Sequence, residues 1–296
     1  MHTRRQERLA IVALVGATAA WGSTFVVMKD AIARMPLMPF MVWRFWVAFA
    51  LLAIMRPRIL RVDHVTWRRA LVIGFVSFLG YLFQTIGLQY TSASVSGFVT
   101  GMFVVITPLV GWMMYRERIT GAVWIAVGIA TIGLGLISLH GWSFGVGEAW
   151  TLAGAAMWSL QIIFFAKWST RENAYALGAL MIGVIAVCFT VGTAPLGFER
   201  PTGTSVWIAV FVTAVLATAF AFPAQSWGQS HLDATRAAVI FTMEPVFAML
   251  FGIALGGDRL GAKTMLGAAM ILGAMFVAEF GGRSAPSVES LPHPSL

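Results

Sequence analysis

Two glutamines stand inside long apolar runs, where a polar side chain is costly. Gln84 and Gln225 begin matching four-residue strings, Gln-Thr-Ile-Gly and Gln-Ser-Trp-Gly, which are 141 positions apart. A carboxamide both donates and accepts hydrogen bonds, so this pair suits the amino or carboxylate group of a small ligand. The same group also joins neighbouring helices in apolar surroundings. Both interpretations stay open at this stage.

Aromatic residues lie one helical turn from these glutamines. Tyr81 precedes Gln84 by three residues, Phe222 precedes Gln225 by three, and Trp158 precedes Gln161 in the same way. Residues three apart share a helical face, and an aromatic ring beside an amide suits a ligand with a flat apolar side and a polar head. Trp21, in an early apolar run, is a further candidate. The alternative is that these rings face lipid, since the chain has 12 Trp and 22 Phe.

Two charged residues fall inside apolar runs and are candidates for charge recognition or coupling. Arg44 is suited to a substrate carboxylate, but it could equally snorkel to an interface or pair with a helix end. Glu244 is suited to carrying a proton or binding a cationic substrate. Its alternatives are capping backbone groups freed by Pro245 or pairing with Arg236.

Other kinds of chemistry find no support in the sequence. The five histidines lie near the ends of apolar runs or between them, and no two have metal-ligand spacing on one helical face, so no metal site is predicted. A phosphate-binding glycine-lysine loop is absent, and no Ser/His/Asp arrangement stands out. The sequence predicts no catalytic residues, no cofactor and no enzyme.

The composition says what must position these residues. Hydrophobic residues make up 59% of the 296, charged residues only 11%, and the mean hydropathy is +0.83. A soluble domain has roughly 25% charged residues, so lipid must solvate this chain. Runs of 17–25 apolar residues predict membrane helices. The ten predicted spans are 9–28, 37–55, 70–88, 93–115, 120–139, 146–166, 174–194, 205–228, 232–254 and 262–280.

The basic residues predict the orientation. Of the 20 Lys and Arg residues, fourteen fall in segments on the side of the N-terminus and five on the other side. Positive segments stay in the cytoplasm. We therefore expect a multi-pass protein of the inner membrane with both termini cytoplasmic, and no nucleic-acid partner despite the net charge of +8.

The 141-residue offset extends beyond the glutamines and indicates a duplication. Ala93 matches Ala234, and Glu117-Arg118-Ile119 matches Asp258-Arg259-Leu260. Two halves of five helices follow, at 1–140 and 141–280, with a disordered tail at 281–296. Because five is odd, the second half starts from the opposite side of the membrane. Inverted halves of this kind typically surround a central cavity and give alternating access, although channels are also built this way.

An ordered set of short strings resembles the drug/metabolite transporter superfamily, specifically its ten-helix EamA family. The strings are Ala20-Trp21-Gly22, Arg44-Phe45, Tyr90-Thr91-Ser92-Ala93, Arg116-Glu117-Arg118-Ile119, Ala234-Thr235-Arg236-Ala237 and Met243-Glu244-Pro245-Val246-Phe247. The resemblance spans about residues 9 to 280. One departure is Gly256-Gly257-Asp258-Arg259, where many relatives have Gly-Glu-Arg.

The resemblance implies a basket of ten helices with the fifth and tenth at its periphery. It implies a secondary transporter, and many such relatives export amino acids and related metabolites, with aromatic amino acids among them. We expect an exporter of amino acids, including aromatic and neutral ones, that acts as a monomer. Relatives that move vitamins, nucleosides or cationic drugs leave alternatives open. Alternatives of another class, a membrane-embedded enzyme or a non-transporting receptor subunit, would need a catalytic cluster or a large soluble domain, and the sequence shows neither.

Overall fold

Helices make up almost all of the computed structural model, which describes residues 4–116, 119–140, 143–170, 173–229, 231 and 240–281. The exception is a small antiparallel hairpin of β1 (Leu139–His140) and β2 (Ser143–Phe144). The hairpin was not predicted. It links the two sets of five spans described below.

Within the residues that the structure describes, ten apolar spans follow one another in the predicted order. Eight are long and apolar enough to cross a membrane, and two shorter apolar helices follow them. The helices are α1 (Arg4–Ile32), α2 (Leu37–Met55), α3 (His64–Tyr90), α4 (Ala93–Gly101), α5 (Phe103–Tyr115), α6 (Gly121–Ser138), α7 (Val146–Trp168), α8 (Ala174–Thr193), α9 (Thr204–Phe211), α10 (Ala221–Gln229), α11 (Glu244–Gly256) and α12 (Ala262–Gly281). Helices α4 and α5 form one broken span, and a π-helical segment, Val212–Phe220, joins α9 and α10 into another. The prediction of ten helices in two inverted five-helix repeats is confirmed.

The ends of the helices gather at two faces because neighbouring spans are antiparallel. We call the face at which α1 begins the terminal face, and the opposite one the far face. The ends of α1, α3 and α6 and the starts of α4, α7 and α12 line one cavity at the far face. Several helices are longer than predicted, α1 and α3 among them, because polar residues at their ends continue the helix beyond the apolar run.

Local capping explains where the first half is divided. Helix α3 ends at Tyr90 and α4 begins at Ala93, which confirms the predicted division there. The Ser92 hydroxyl accepts a hydrogen bond from the backbone N–H of Val95 at 3.1 Å, a typical N-cap. At the start of α3, Asp63 caps Thr66 in the same way, and these hydrogen bonds hold the pKa of Asp63 below its ordinary value. The corresponding division at 229–233 lies mostly outside the described residues.

The π-helical segment Val212–Phe220 has no counterpart in the first half, where the matching positions 71–79 belong to the regular helix α3. In this segment the hydrogen bonds reach five residues back, as from Ala221 N–H to the Leu216 carbonyl. Pro223 follows within α10 and has no N–H to donate to the Ala219 carbonyl. The third span of the second half is therefore wound differently from its counterpart in the first half, α3.

Glycines let the two halves approach at the level of the backbone. A Cβ atom at Gly87 of α3 would lie 2.6 Å from the Gly147 carbonyl and 2.8 Å from the Thr151 nitrogen of α7. Similarly, a Cβ at Gly22 of α1 would lie 2.8 Å from the nitrogen of Ala248 in α11. The interfaces α3–α7 and α1–α11 thus depend on residues without side chains.

Helices α6 and α12, the fifth and tenth spans, pack on each other. Gly133 and Gly267 face one another, and a Cβ at either would lie within 2.8 Å of the other's carbonyl oxygen. These helices carry none of the candidate functional residues.

We predict that Gly87→Ala destabilises the protein by about 1–3 kcal/mol, because an added methyl group overpacks the α3–α7 interface. The measurement is the thermal unfolding midpoint of purified protein in detergent.

Gly128→Ala is the matched control, since a Cβ there meets nothing within 4 Å. It should leave the midpoint unchanged or raise it slightly, because alanine favours helix. Equal midpoints for the two variants would contradict the close α3–α7 packing.

Candidate functional site

Tyr81 of α3 is the centre of a cluster that joins both halves. Its ring centroid lies 4.7 Å from that of Phe45 and 4.5 Å from that of Trp158, both in edge-to-face arrangement. The Arg44 guanidinium carbon lies 4.8 Å from the same centroid, over the ring. Phe189 of α8 stacks on Phe45 at 5.7 Å. We call Arg44, Phe45, Tyr81, Trp158 and Phe189 the central cluster.

The central cluster holds Arg44 away from any surface. The side chain is 3% exposed, so the structure does not show it snorkelling to an interface. Its Nη1 donates to the sulfur of Met28 at 2.8 Å, and its Nε has no hydrogen-bond partner. No carboxylate in the described part of the chain forms an ion pair with it. A guanidinium stays charged inside proteins, so the site carries a positive charge beside aromatic rings.

Two aromatic pairs repeat across the inverted halves. Trp158 of α7 meets Tyr81 of α3, and Trp21 of α1 meets Phe222 of α10 with centroids 6.1 Å apart. In each pair a tryptophan from the first helix of one half contacts an aromatic residue from the third span of the other. The two pairs are therefore equivalent contacts between the halves. Tyr81 and Phe222 are separated by the same 141 positions as the rest of the internal repeat.

The two tryptophans differ in their hydrogen bonding. The Trp21 indole N–H donates to the Ala217 carbonyl at 2.8 Å, inside the π-helical segment. The Trp158 indole nitrogen is buried and has no partner. In the regular helix α3, the backbone carbonyls accept hydrogen bonds from N–H groups of the same helix. In the π-helical segment, the Ala217 carbonyl accepts from the Trp21 indole.

The glutamines do not share one location. Gln84 lies six residues before the far-face end of α3, and its Nε2 donates to Thr100 of the same half at 3.0 Å. Gln225 lies four residues before the terminal-face end of α10. At 1.5 Å per residue, each is only about 6–9 Å from its own end, so the pair occupies opposite depths. Gln161 makes one weak contact, to the sulfur of Met181 at 3.9 Å.

Glu244, the first residue of α11, is a carboxylate within electrostatic reach of the central cluster. Its charge acts on Tyr81, and α11 has Met243 as its N-cap residue, without a side-chain cap. Among the described residues it has no ion-pair partner. The alternative partner Arg236 lies outside the described residues.

Hydrogen bonds between the halves also form at the far face. Asp258 of the second half accepts from the Ser94 N–H at 2.8 Å and from the Ser94 hydroxyl at 2.6 Å. Thr91 donates to Glu148 of the second half at 2.9 Å, and within the first half the Lys29 ammonium donates to the Thr91 carbonyl. We call these five residues the far-face latch. A cavity of 640 Å³ lies beside it, lined among others by Lys29, Thr91 and Glu148.

Sequence reasoning did not identify several of these residues. Phe189 and Met28 look like ordinary apolar residues, and only the three-dimensional contacts place them in the central cluster. Glu148 and Asp258 carried a usable signal, because each is an acidic residue at the end of an apolar span, where it can accept from the neighbouring helix start.

We predict that Asp258→Ala loosens the far-face latch, because it leaves the Ser94 N–H and hydroxyl without their acceptor. In a Cys188→Ser background, Val95→Cys places a thiol at a buried position beside the cavity. Maleimide should modify that thiol several-fold faster when Asp258→Ala is added.

The matched control is Asp30→Ala, which removes an exposed acid at the same face that pairs only with its neighbour Arg34. Equal modification rates for Asp258→Ala and Asp30→Ala would contradict a latch.

Comparisons with known proteins agree with this architecture. The chain is 33% identical over 272 residues to an "Uncharacterized transporter" of Archaeoglobus fulgidus, covering 91% of this chain and 83% of that protein. It is 22% identical over 267 residues to the "Uncharacterized transporter YyaM" of Bacillus subtilis, with coverages of 83% and 85%. One solved crystal structure superposes with a TM-score of 0.65 over 93% of this chain and 97% of the other, and at 17% identity it supports the fold alone.

The model of the EamA-like transporter family matches the chain twice, at residues 8–139 and 145–279. The two matches leave out only the hairpin segment and the chain ends. Together with the ten helices and their inverted pairing, they show that this membrane protein belongs to the EamA-like transporter family.

Proposed function

We propose that the protein is a secondary transporter that exports small metabolites, with aromatic and other neutral amino acids as its main substrates. The observation that carries the proposal is the central cluster, in which Tyr81 and Trp158 join the two halves and expose partly accessible rings beside a buried cation. Aromatic faces bind the flat or apolar side of an amino acid, and charged or amide groups bind its head.

The inverted halves supply a mechanism of alternating access. In such proteins the substrate lies between two pseudo-symmetric bundles that exchange conformations. Here the matched pairs Trp21–Phe222 and Trp158–Tyr81 lie on that interface. Because each pair joins a helix of one half to a helix of the other, a change in their packing would displace helices of both bundles. The far-face latch joins the bundles at one face and must open for passage through that face.

The remaining assignments follow from the charge bias and the family. Basic residues concentrate at the terminal face, where Arg56 lies over Tyr175 and Lys167 over Tyr115. We assign that face to the cytoplasm, which places both termini inside the cell, and we assign the protein to the inner membrane as a monomer. Residues 1–140 and 141–280 are the proposed repeats. Outward transport is proposed from the resemblance.

The amino-acid assignment is tested by counterflow in proteoliposomes loaded with one amino acid. We predict that labelled phenylalanine, tryptophan or methionine accumulates, and that Tyr81→Leu reduces the exchange about tenfold by removing the ring that Arg44 and Trp158 contact.

Tyr115→Leu is the matched control, because it also removes a ring under a cation but at the terminal face. Gln84→Ala and Gln225→Ala test the two glutamines in the same assay. If well-folded protein exchanges none of the amino acids, the amino-acid assignment is wrong, and vitamins, nucleosides and cationic drugs form the next panel.

Glu244 is the proposed coupling residue, since it is the carboxylate that interacts with Tyr81. We predict that Glu244→Gln abolishes net transport driven by a proton gradient but preserves counterflow, because exchange needs no net proton movement.

Asp30→Asn, an exposed carboxylate at the far face, is the control and should retain both activities. Proton-driven transport that survives Glu244→Gln would remove Glu244 from the coupling mechanism.

A further inference from the structure

The central cluster contains a charge that the described protein does not neutralise. Arg44 has five N–H donors, and it uses one of them on the sulfur of Met28, a weak acceptor. Its Nε is buried without a partner. The rings of Phe45 and Tyr81 stabilise the cation electrostatically, but Nε still has no acceptor. A buried charge in this state favours an anion as its partner.

The ionisable groups around Arg44 do not supply that anion. The neighbouring Tyr81 ring lies 4.8 Å from the guanidinium carbon and contacts the cation through its face. No ion pair to Arg44 is found in the ranges that the structure describes. We therefore consider a bound ligand as the source of the anion that Arg44 lacks.

A second unsatisfied donor faces the same ring. The Trp158 indole nitrogen is buried without an acceptor, and its ring centroid lies 4.5 Å from that of Tyr81, with Gly80 leaving room for the indole. Its inverted mate Trp21 has its acceptor in the Ala217 carbonyl. The same residue type at matched positions is thus satisfied in one half and unsatisfied in the other.

We propose that Arg44 and the Trp158 indole N–H together bind a substrate carboxylate, so that the transported molecule is an organic carboxylate whose apolar part lies against the aromatic rings of the central cluster. A guanidinium matches a carboxylate through two parallel hydrogen bonds, and the indole N–H suits one further oxygen lone pair. This inference rests on the proposed transport function and deepens it by naming the group that is recognised.

The first test needs no variant. Purified wild-type protein is tested for binding by ligand-induced thermal shift and tryptophan fluorescence, with phenylalanine, tryptophan, methionine and phenylpyruvate as the carboxylates. The carboxamides of the three amino acids and phenethylamine are the analogues without a carboxylate. We expect the carboxylates to bind at least about tenfold more tightly, because the analogues lose charge-assisted hydrogen bonds. Equal binding, or no binding by any carboxylate, would overturn the proposal.

Variants then assign the recognition to the two donors. Arg44→Gln should weaken carboxylate binding about tenfold or more without changing the binding of the carboxamides, and Arg44→Lys should restore part of the loss. A purely structural Arg44 would instead weaken both ligand classes equally as the protein loses stability.

Trp158 and Trp46 form a matched pair for the second donor, since only Trp158 belongs to the central cluster. Trp158→Phe should keep the thermal midpoint and weaken carboxylate binding roughly 3- to 10-fold, the effect of one neutral hydrogen bond. Trp46→Phe should lower the midpoint slightly and keep the affinity, because it breaks the indole bond to Thr190 outside the central cluster. The reverse pattern would remove Trp158 from the site.

Binding and transport outcomes separate this inference from the proposed function. Exchange of amino acids together with equal exchange of their carboxamides would overturn the carboxylate site and leave the transporter assignment standing. Carboxylate binding that depends on Arg44, without amino-acid exchange, would support the site and overturn the amino-acid assignment.

Discussion

A lipid bilayer offers no hydrogen bonds, so every polar group inside the membrane must find its partner in the protein. Many hydroxyl groups of the described helices meet that requirement locally. Thr18, Ser77, Thr85 and Thr193 each donate to a carbonyl four residues earlier in their own helix. Against this background, the unsatisfied nitrogens of Arg44 and Trp158 stand out because they meet around one tyrosine. The requirement thus explains why the hydroxyl groups of these helices bond to carbonyls of their own helix. It also explains why two nitrogens without partners make the central cluster unusual.

The inverted symmetry explains much of the architecture, and its local breakdown explains the chemistry. Trp21–Phe222 and Trp158–Tyr81 are equivalent contacts, but only the first lies against a π-helical segment. The donor of one half is satisfied by that segment, while the donor of the other half stays available. Two halves with equivalent folds therefore differ in one buried donor, and the proposed carboxylate site depends on that difference.

Hydropathy, charge and internal repetition predicted the ten spans, the inverted repeat and the division between α3 and α4. These features depend on composition and short spacing, which a sequence displays directly. The burial of Arg44 could not be predicted in this way. An arginine at this position of a span can either snorkel to an interface or be buried, and the sequence is the same in both cases. The Tyr81–Trp158 contact joins residues 77 positions apart, and nothing in the spacing of Trp158 and Gln161 indicates it. The π-helical segment lies against Trp21 and α1, a contact between distant residues that spacing along the chain does not display.

That π-helical segment has a consequence for how the second half can move. A π-helical turn accommodates an additional residue compared with an α-helical turn. Relaxing one such turn to α geometry would rotate everything after it by about 100° around the helix axis. Phe222 and Gln225 lie directly after the segment, so such a change would rotate both side chains together around the helix axis. The uniformly wound α3 contains no such step, so any rotation of this kind would belong to one half of the molecule alone.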